Sequence, residues 1–404
     1  MNERIATSDY QQLHHFISES PWDHDLVLGA VRQDISKLFE GRQSLTGLIL
    51  DESGHRKRGK KSVGVARQYL GSIGKVDNGQ VAVFAALSQA DDVAMVDTRL
   101  FLPKSWIANS SRCDRAGIPK EAQVFKTKPE LALEMIQNMQ GQVKYDWIGG
   151  GSIYGNSIGL RKGLGSLKQL FVMDTSEDLL VYLQDPQPYI PVSKLGKGRK
   201  KSSYVSDHSP IKAKQLKASL ADDQWEIHTV RKGTKGSLKR RVAVMEVYVW
   251  SAKRVTTSSP EKLRLIISSK IDGSDLKYSL TNDISIEDQV LLSNWELLYR
   301  QMQRYWVERG IQDCKDSLGM TDYQVRKWRA WHHHMTLTIM ALQYMIEQKI
   351  HNQKNIPLLS CPDIKFFLAL TLQRKADSPE KVWALIQKRH QQRKADLDRF
   401  EDLK

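Results

Sequence analysis

Two periods of apolar residues divide this chain. Near the N-terminus the spacing is helical. Residues 8–40 read as helices, and "SPWDHDLVLGAVRQDISKLF" offers Ser20 as an N-cap and Pro21 at the first helical position. A short apolar run, "TGLILDES" over 46–53, then predicts a buried strand whose carboxyl end carries Asp51 and Glu52. "QVAVFAALSQ" (80–89) and "VAMVDTRLFLP" (93–103) predict two more strands, continuing the first as an antiparallel meander. Helical spacing returns in "KPELALEMIQNMQ" (128–140), followed by the strand "YDWIGG", a weak helix "NSIGLRKGLGSL" and the strand "LFVMD" (170–174). Three strands, helix, strand, helix, strand is the order of a mixed sheet covered by helices.

The pattern changes after residue 177. Strand-like runs separated by basic loops fill 178–290, with a short helix near 209–220. Long helical patterns follow at 290–317, 321–349 and 378–402, the last one mostly charged. This divides the 404 residues into an N-terminal helical segment (1–43), a core in two parts (44–177 and 291–350), a β-rich insertion (178–290) and a charged helical tail (351–404). No apolar run approaches the roughly 18–20 residues of a membrane span, and the N-terminus has no apolar signal region. Cys113, Cys314 and Cys361 are far apart and odd in number, which argues for a reducing compartment and against a disulfide framework or a zinc site.

Charge narrows the functional classes. Sixty-one Lys and Arg against 46 Asp and Glu leave +15, a footprint for polyanions and above all nucleic acid, though a basic enzyme of another kind also fits. The excess is clustered in "HRKRGKK" (55–61), "GKGRKK" (196–201) and "RKGTKGSLKRR" (231–241), where glycine-interleaved cations suit loops that track phosphates. Candidate phosphate contacts are Arg56, Lys57, Arg58, Lys60, Lys61, Lys232, Lys235 and Lys239.

Two stretches carry candidate chemistry. Asp51 ends the first core strand, and in "RYWVERGIQDCK" (304–315) the spacing puts Arg304, Glu308 and Lys315 on one helix face. An acid between two cations can bind a metal while the cations hold phosphate oxygens, or it can be an ordinary i,i+4 ion pair. His332, His333 and His334 cannot converge on one ion from consecutive helical positions, so packing and hydrogen bonding are expected of them. Trp306, Trp328 and Trp331 are expected in the core rather than stacked on bases.

These features together resemble the insertion-sequence transposases of the DDE superfamily, in which an RNase H-like core is interrupted by a β domain. The local phrases "LDESGHRKRGKKSVGVARQYLGSIGKVDN", "LFLPKSW" and "DYQVRKWRAWHHH" are similar to one bacterial branch. The resemblance implies that Asp51 and Glu308 are metal-binding acids and that Arg304 and Lys315 are the cations of a Y-x2-R-x3-E-x6-K signature. The Tyr position falls on Gln301, with Tyr299 and Tyr305 nearby. It implies two magnesium or manganese ions about 4 Å apart, clamping a scissile phosphate through hard oxygen ligands. It also implies double-stranded DNA as partner, both transposon ends and target, a homodimer on that DNA, and a bacterial cytoplasmic, nucleoid-associated location.

The second acid of that triad should close "YDWIGG", and there the sequence has Gly151. Glycine supplies no carboxylate. Asp146 lies at the wrong end of the strand, Ser152 offers only a neutral oxygen, and Asp174 ends the next strand as a cap, a turn residue or a replacement ligand. Gly149 and Gly150 are expected to leave room for the scissile phosphate. The expectation is a transposase with impaired cutting, the alternative being an inactive DNA-binding or targeting factor; a ribonuclease on RNA–DNA hybrids fits the basic insertion poorly. Family members usually carry a longer helical segment ahead of "SDYQQLHHF", so the resemblance implies that end binding is organised differently here.

Overall fold

A computed structural model of the chain describes residues 9–191, 202–233, 236–251, 259–285, 290–322, 324–372 and 378–401. The first helices are α1 (Tyr10–Ser18) and α2 (His24–Phe39). The cap of α2 is Asp23, whose carboxylate accepts from the backbone N–H of Asp25 at 2.8 Å and of Leu26. Ser20 instead bonds His15, and Pro21 lies outside the helix. A carboxylate at the positive end of the helix is the stronger acceptor, so it wins over a serine three residues earlier.

The meander forms as the alternation predicts, but with longer strands. β1 (Thr46–Arg56) does not end at Asp51. After β2 (Ala66–Leu70) comes β3 (Lys75–Gln89), long enough to pair β1 antiparallel from Thr46↔Gln89 to Arg56↔Gly79. β4 (Asp92–Leu100) pairs with β3 across a two-residue connection. Short helices α3 (Lys104–Ile107) and α4 (Ser110–Arg115) lead to α5 (Lys128–Asn138), whose start is set locally: Thr127 and Glu130 form a capping box and Pro129 stands in the first turn.

β5 (Trp147–Gly150) then runs parallel to β1, and the chain turns through α6 (Ser152–Gly155) and α7 (Ile158–Ser166) into β6 (Phe171–Asp174), parallel to β5. Four antiparallel strands, the short β2 among them, followed by two parallel ones, with helices α5 and α7 packed on each other beside them, make an RNase H-like mixed α/β arrangement.

The β-rich segment continues this sheet. Past a small pair, β7 (Leu180–Val181) and β8 (Ile211–Lys212), and the helix α8 (Ala213–Ser219), come β9 (Glu226–Gly233), β10 (Gly236–Val249), β11 (Glu261–Ser269) and β12 (Lys277–Thr281). β12 pairs antiparallel with β6, which gives the order β2-β3-β1-β5-β6-β12-β11-β10-β9, with β4 on β3. A buried ion pair ties the two halves: Arg161 on α7 grips Glu261 on β11 at 2.8 and 3.0 Å. The long helices are α9 (Asn294–Ser317), begun by a Ser293–Glu296 capping box, α10 (Trp328–Asn352), α11 (Cys361–Thr371) and α12 (Pro379–Glu401). α10 and α2 pack on each other and on β4, while α9 crosses β1, β5 and β6. Among the described residues no helix is long and apolar enough to cross a membrane. The three cysteines are buried and free.

Candidate active site

Strand register builds the site. Leu50 on β1 pairs with Gly150 on β5, and Gly150 pairs with Met173 on β6. The next residue of each strand or its continuation is therefore Asp51, Gly151 and Asp174, a row across three parallel neighbours about 4.8 Å apart. Helix α9 lies over this row. Its cap at Ser293 sets the frame in which Arg304 and Glu308, one turn apart, face the acids, with Lys315 two turns further.

Arg304 is the centre of the cluster. Its Nε lies 3.2 Å from Asp174 Oδ2 as an ion pair, and its Nη2 donates to Glu308 Oε1. It also lies within electrostatic reach of Asp51 and Glu52. Glu52 also pairs with Lys128 at 3.3 Å. Burial pushes the Asp51 carboxyl up to about 7; Arg304 opposes the rise, and Glu52 and Glu308 add to it. Burial also raises Asp174, against the pull of Arg304 and a hydrogen bond from Ser279. Burial lowers Lys315, which faces Asp51 and Asp316.

Gly151 opens onto this cluster. Its backbone (φ −73°, ψ 178°) is one that any residue adopts, and it precedes α6 without a side-chain cap. A Cβ built there would stand 2.8 Å from Arg304 Nη1, with nothing else closer than 3.7 Å. The preceding glycines do not make room for a phosphate. A Cβ on Gly149 would strike the Trp147 ring at 2.6 Å, and one on Gly150 would press on Tyr154 at 3.2 Å, so both are packing glycines in a buried strand. Gly155 has a sharper requirement: a Cβ would lie 1.9 Å from the backbone oxygen of Asp174, so α6 can sit on the end of β6 only with glycine there. Asp146 is, as expected, at the far end of β5, where its carboxylate accepts from the Thr46 N–H at 2.7 Å. Ser152 is exposed.

Asp174 has partners that sequence reasoning missed. Ser279, its register partner on β12, donates to Asp174 Oδ1 at 2.8 Å. Gln301, at the position of the signature tyrosine, is 2% exposed and donates to Ser279 Oγ at 2.8 Å. Ser268 donates to the other end of the Gln301 amide at 2.6 Å. The only signal in the sequence was an acid closing the strand next to the one that ends at 150. Tyr299 and Tyr305 face away from the acids and line a cleft of about 830 Å³ on the other side of α9, with Trp306 and Arg231. Arg231 stacks over Tyr305 at 4.2 Å and Trp306 at 5.2 Å; Trp306 is half-buried, packed against the core on one side and walling that cleft on the other. Trp331 is core, and Trp328 is partly buried against it.

The basic residues divide by environment. Arg58, Lys60 and Lys61 are exposed, Arg56 pairs with Asp77 at 2.9 Å at the end of β1, and burial brings half-buried Lys57 down to about 8. Lys232 lies on β9 and Lys239 is exposed on β10. Lys235 and the run at 196–201 fall outside the described residues. Arg240 and Arg241, in the same basic run, are held by Asp275 at 2.7 Å and Asp222 at 3.2 Å. His332, His333 and His334 each hydrogen-bond to backbone carbonyls of different segments, as packing histidines do. Among the described residues no group of three or more His, Cys, Asp or Glu side chains is arranged to hold a metal ion.

Comparison with known proteins places the chain in a family. A family model described as DDE superfamily endonuclease matches residues 1–237. A probable transposase for insertion sequence element IS701 from Microchaete diplosiphon is 30% identical over 154 residues, 38% of this chain and 37% of that protein. The chain thus spans well under half of that relative's length in the match. The family match covers more than half of the present chain, with Asp51 and strands β1 to β6 inside it: the chain belongs to the DDE superfamily of endonucleases.

Proposed function

We propose that this protein is an insertion-sequence transposase that binds transposon-end DNA and whose metal-dependent cleavage and strand transfer are impaired by Gly151. The observation that carries the reading is the row of three strand ends in which Asp51 and Asp174 flank Gly151, so that both neighbouring strands supply acids and the middle one supplies none; a Cβ at 151 would stand 2.8 Å from Arg304 Nη1, so the guanidinium takes up the space a side chain there would need. The residues present do not fit a two-ion site. One carboxylate is absent, and Asp174 and Glu308 are both engaged by one arginine.

The net charge of +15 and the exposed Arg58, Lys60, Lys61 and Lys239 support double-stranded DNA as the partner, with a homodimer acting on it in the bacterial cytoplasm. The ion pairs of Arg304 also favour a second reading, a DNA-binding or targeting factor that keeps the fold and has lost cutting. A paired assay separates the two. End-containing plasmid is incubated with magnesium and either the natural chain or Gly151→Asp. The transposase reading expects weak or no cleavage by the natural chain and a gain in the variant, whereas the factor reading expects none in either. Robust cleavage by the natural chain, abolished in Asp174→Ala, would overturn both.

A further inference from the structure

Two positions at which this chain departs from its family signature, Gln301 and Gly151, lie at opposite ends of one connected set of side chains. Ser268 donates to the Gln301 carbonyl at 2.6 Å, and the Gln301 amide donates to Ser279 Oγ at 2.8 Å. A serine hydroxyl has one proton. Because Ser279 accepts from Gln301, its proton goes to Asp174 Oδ1, at 2.8 Å. The second Asp174 oxygen is left for Arg304 Nε at 3.2 Å. Arg304 Nη2 is bonded to Glu308, and Nη1 points over Gly151. Every nitrogen of the guanidinium thus faces a position of this site. Gln301 and Ser279 are 2% and 0% exposed, so the set is fixed by burial as well as by hydrogen bonds.

We propose that Arg304 is the resident cation of this site, standing in for a divalent metal, and that Gln301, Ser279 and Asp174 are the positioning residues that hold it there. The charge argument is direct. Asp51, Asp174 and Glu308 all act electrostatically on Arg304, and a fixed guanidinium neutralises them without an ion from solution. A divalent ion would have to break two ion pairs to enter. A side chain at 151 would begin with a Cβ only 2.8 Å from Nη1 and would force the guanidinium to shift; glycine leaves Arg304 in place. The inference rests on reading Asp51 and Glu308 as the family's acids. It does not depend on DNA binding, so its test uses no DNA.

The test is thermal melting of the full chain against magnesium chloride at constant ionic strength, with calcium as a second probe. The natural chain is expected to show no saturable change in Tm. Arg304→Ala removes the internal cation and should gain a saturable metal-dependent rise of about 2 °C or more. Arg304→Lys, which keeps the charge, should stay insensitive. Gln301→Leu loosens the anchor and should gain a smaller response, whereas a merely structural loss would lower Tm equally with and without metal. A saturable rise in the natural chain overturns the proposal, and that measurement stands even if Arg304→Ala fails to fold. An Arg304→Ala protein that folds but ignores both metals overturns it as well.

Discussion

Asp51→Asn should stabilise this protein at neutral and alkaline pH while leaving its stability near pH 4 unchanged. The Asp51 carboxyl is raised from 3.8 to about 7, first by burial and then by Glu52 and Glu308, with Arg304 opposing. A carboxyl whose folded pKa lies above its unfolded value binds more protons in the native state. Stability therefore falls as pH rises from about 4 to about 7 and is flat above that. At about 1.4 kcal/mol per pKa unit the full shift amounts to about 4 kcal/mol, a ceiling that partial exposure brings to about 2 kcal/mol. Asparagine keeps the size and hydrogen-bonding capacity without the charge, and Arg304 keeps Asp174 and Glu308. The assay is urea unfolding with chelator across this range, comparing midpoints at equal m. A variant with the same downward slope as the natural chain, or one less stable at about pH 8, would refute the reasoning, because the burial of Asp51 would then not be the source of the slope.

Gly155→Ala places a Cβ 1.9 Å from the Asp174 oxygen, a backbone atom that cannot swing aside, so α6 or the end of β6 must move; a loss of about 2–3 kcal/mol in urea unfolding is expected. Arg161→Ala leaves Glu261 without its partner and frees the bond to the Gly155 carbonyl; about 3–5 kcal/mol should be lost, with much of it recovered when Glu261 is also made apolar. Lys57, brought down to about 8 by burial, loses its charge as pH passes that value. DNA affinity at low salt should therefore fall between about pH 7 and pH 9, and Lys57→Ala should remove that pH dependence and reduce the salt slope by about 0.9.

What the sequence determined by itself is local. Capping boxes at Thr127–Glu130 and Ser293–Glu296 set the starts of α5 and α9 within four residues, and the second of them fixes the helical frame in which Arg304, Glu308 and Lys315 share a face. Alternation and apolar runs were enough for the strands that carry Asp51 and Asp174 and the one that leads into Gly151, because buried strands need little beyond their own side chains to be recognised. At α2 the pattern pointed to Ser20, but the cap is Asp23, whose carboxylate is the stronger acceptor at the helix end.

The tertiary structure decided whatever depends on residues distant in the chain. β1 runs past Asp51 to Arg56 because β3 is long enough to pair with all of it. Asp174 became part of the site because register sets it beside position 151, and because Ser279 and Gln301, over a hundred residues later, turn its carboxylate towards Arg304. No spacing rule reaches across that distance; strand pairing and the hydrogen bonds it permits do. The missing acid could be read from the order of residues, but that Arg304 borders the space it leaves could be read only from the packing of α9 on the sheet.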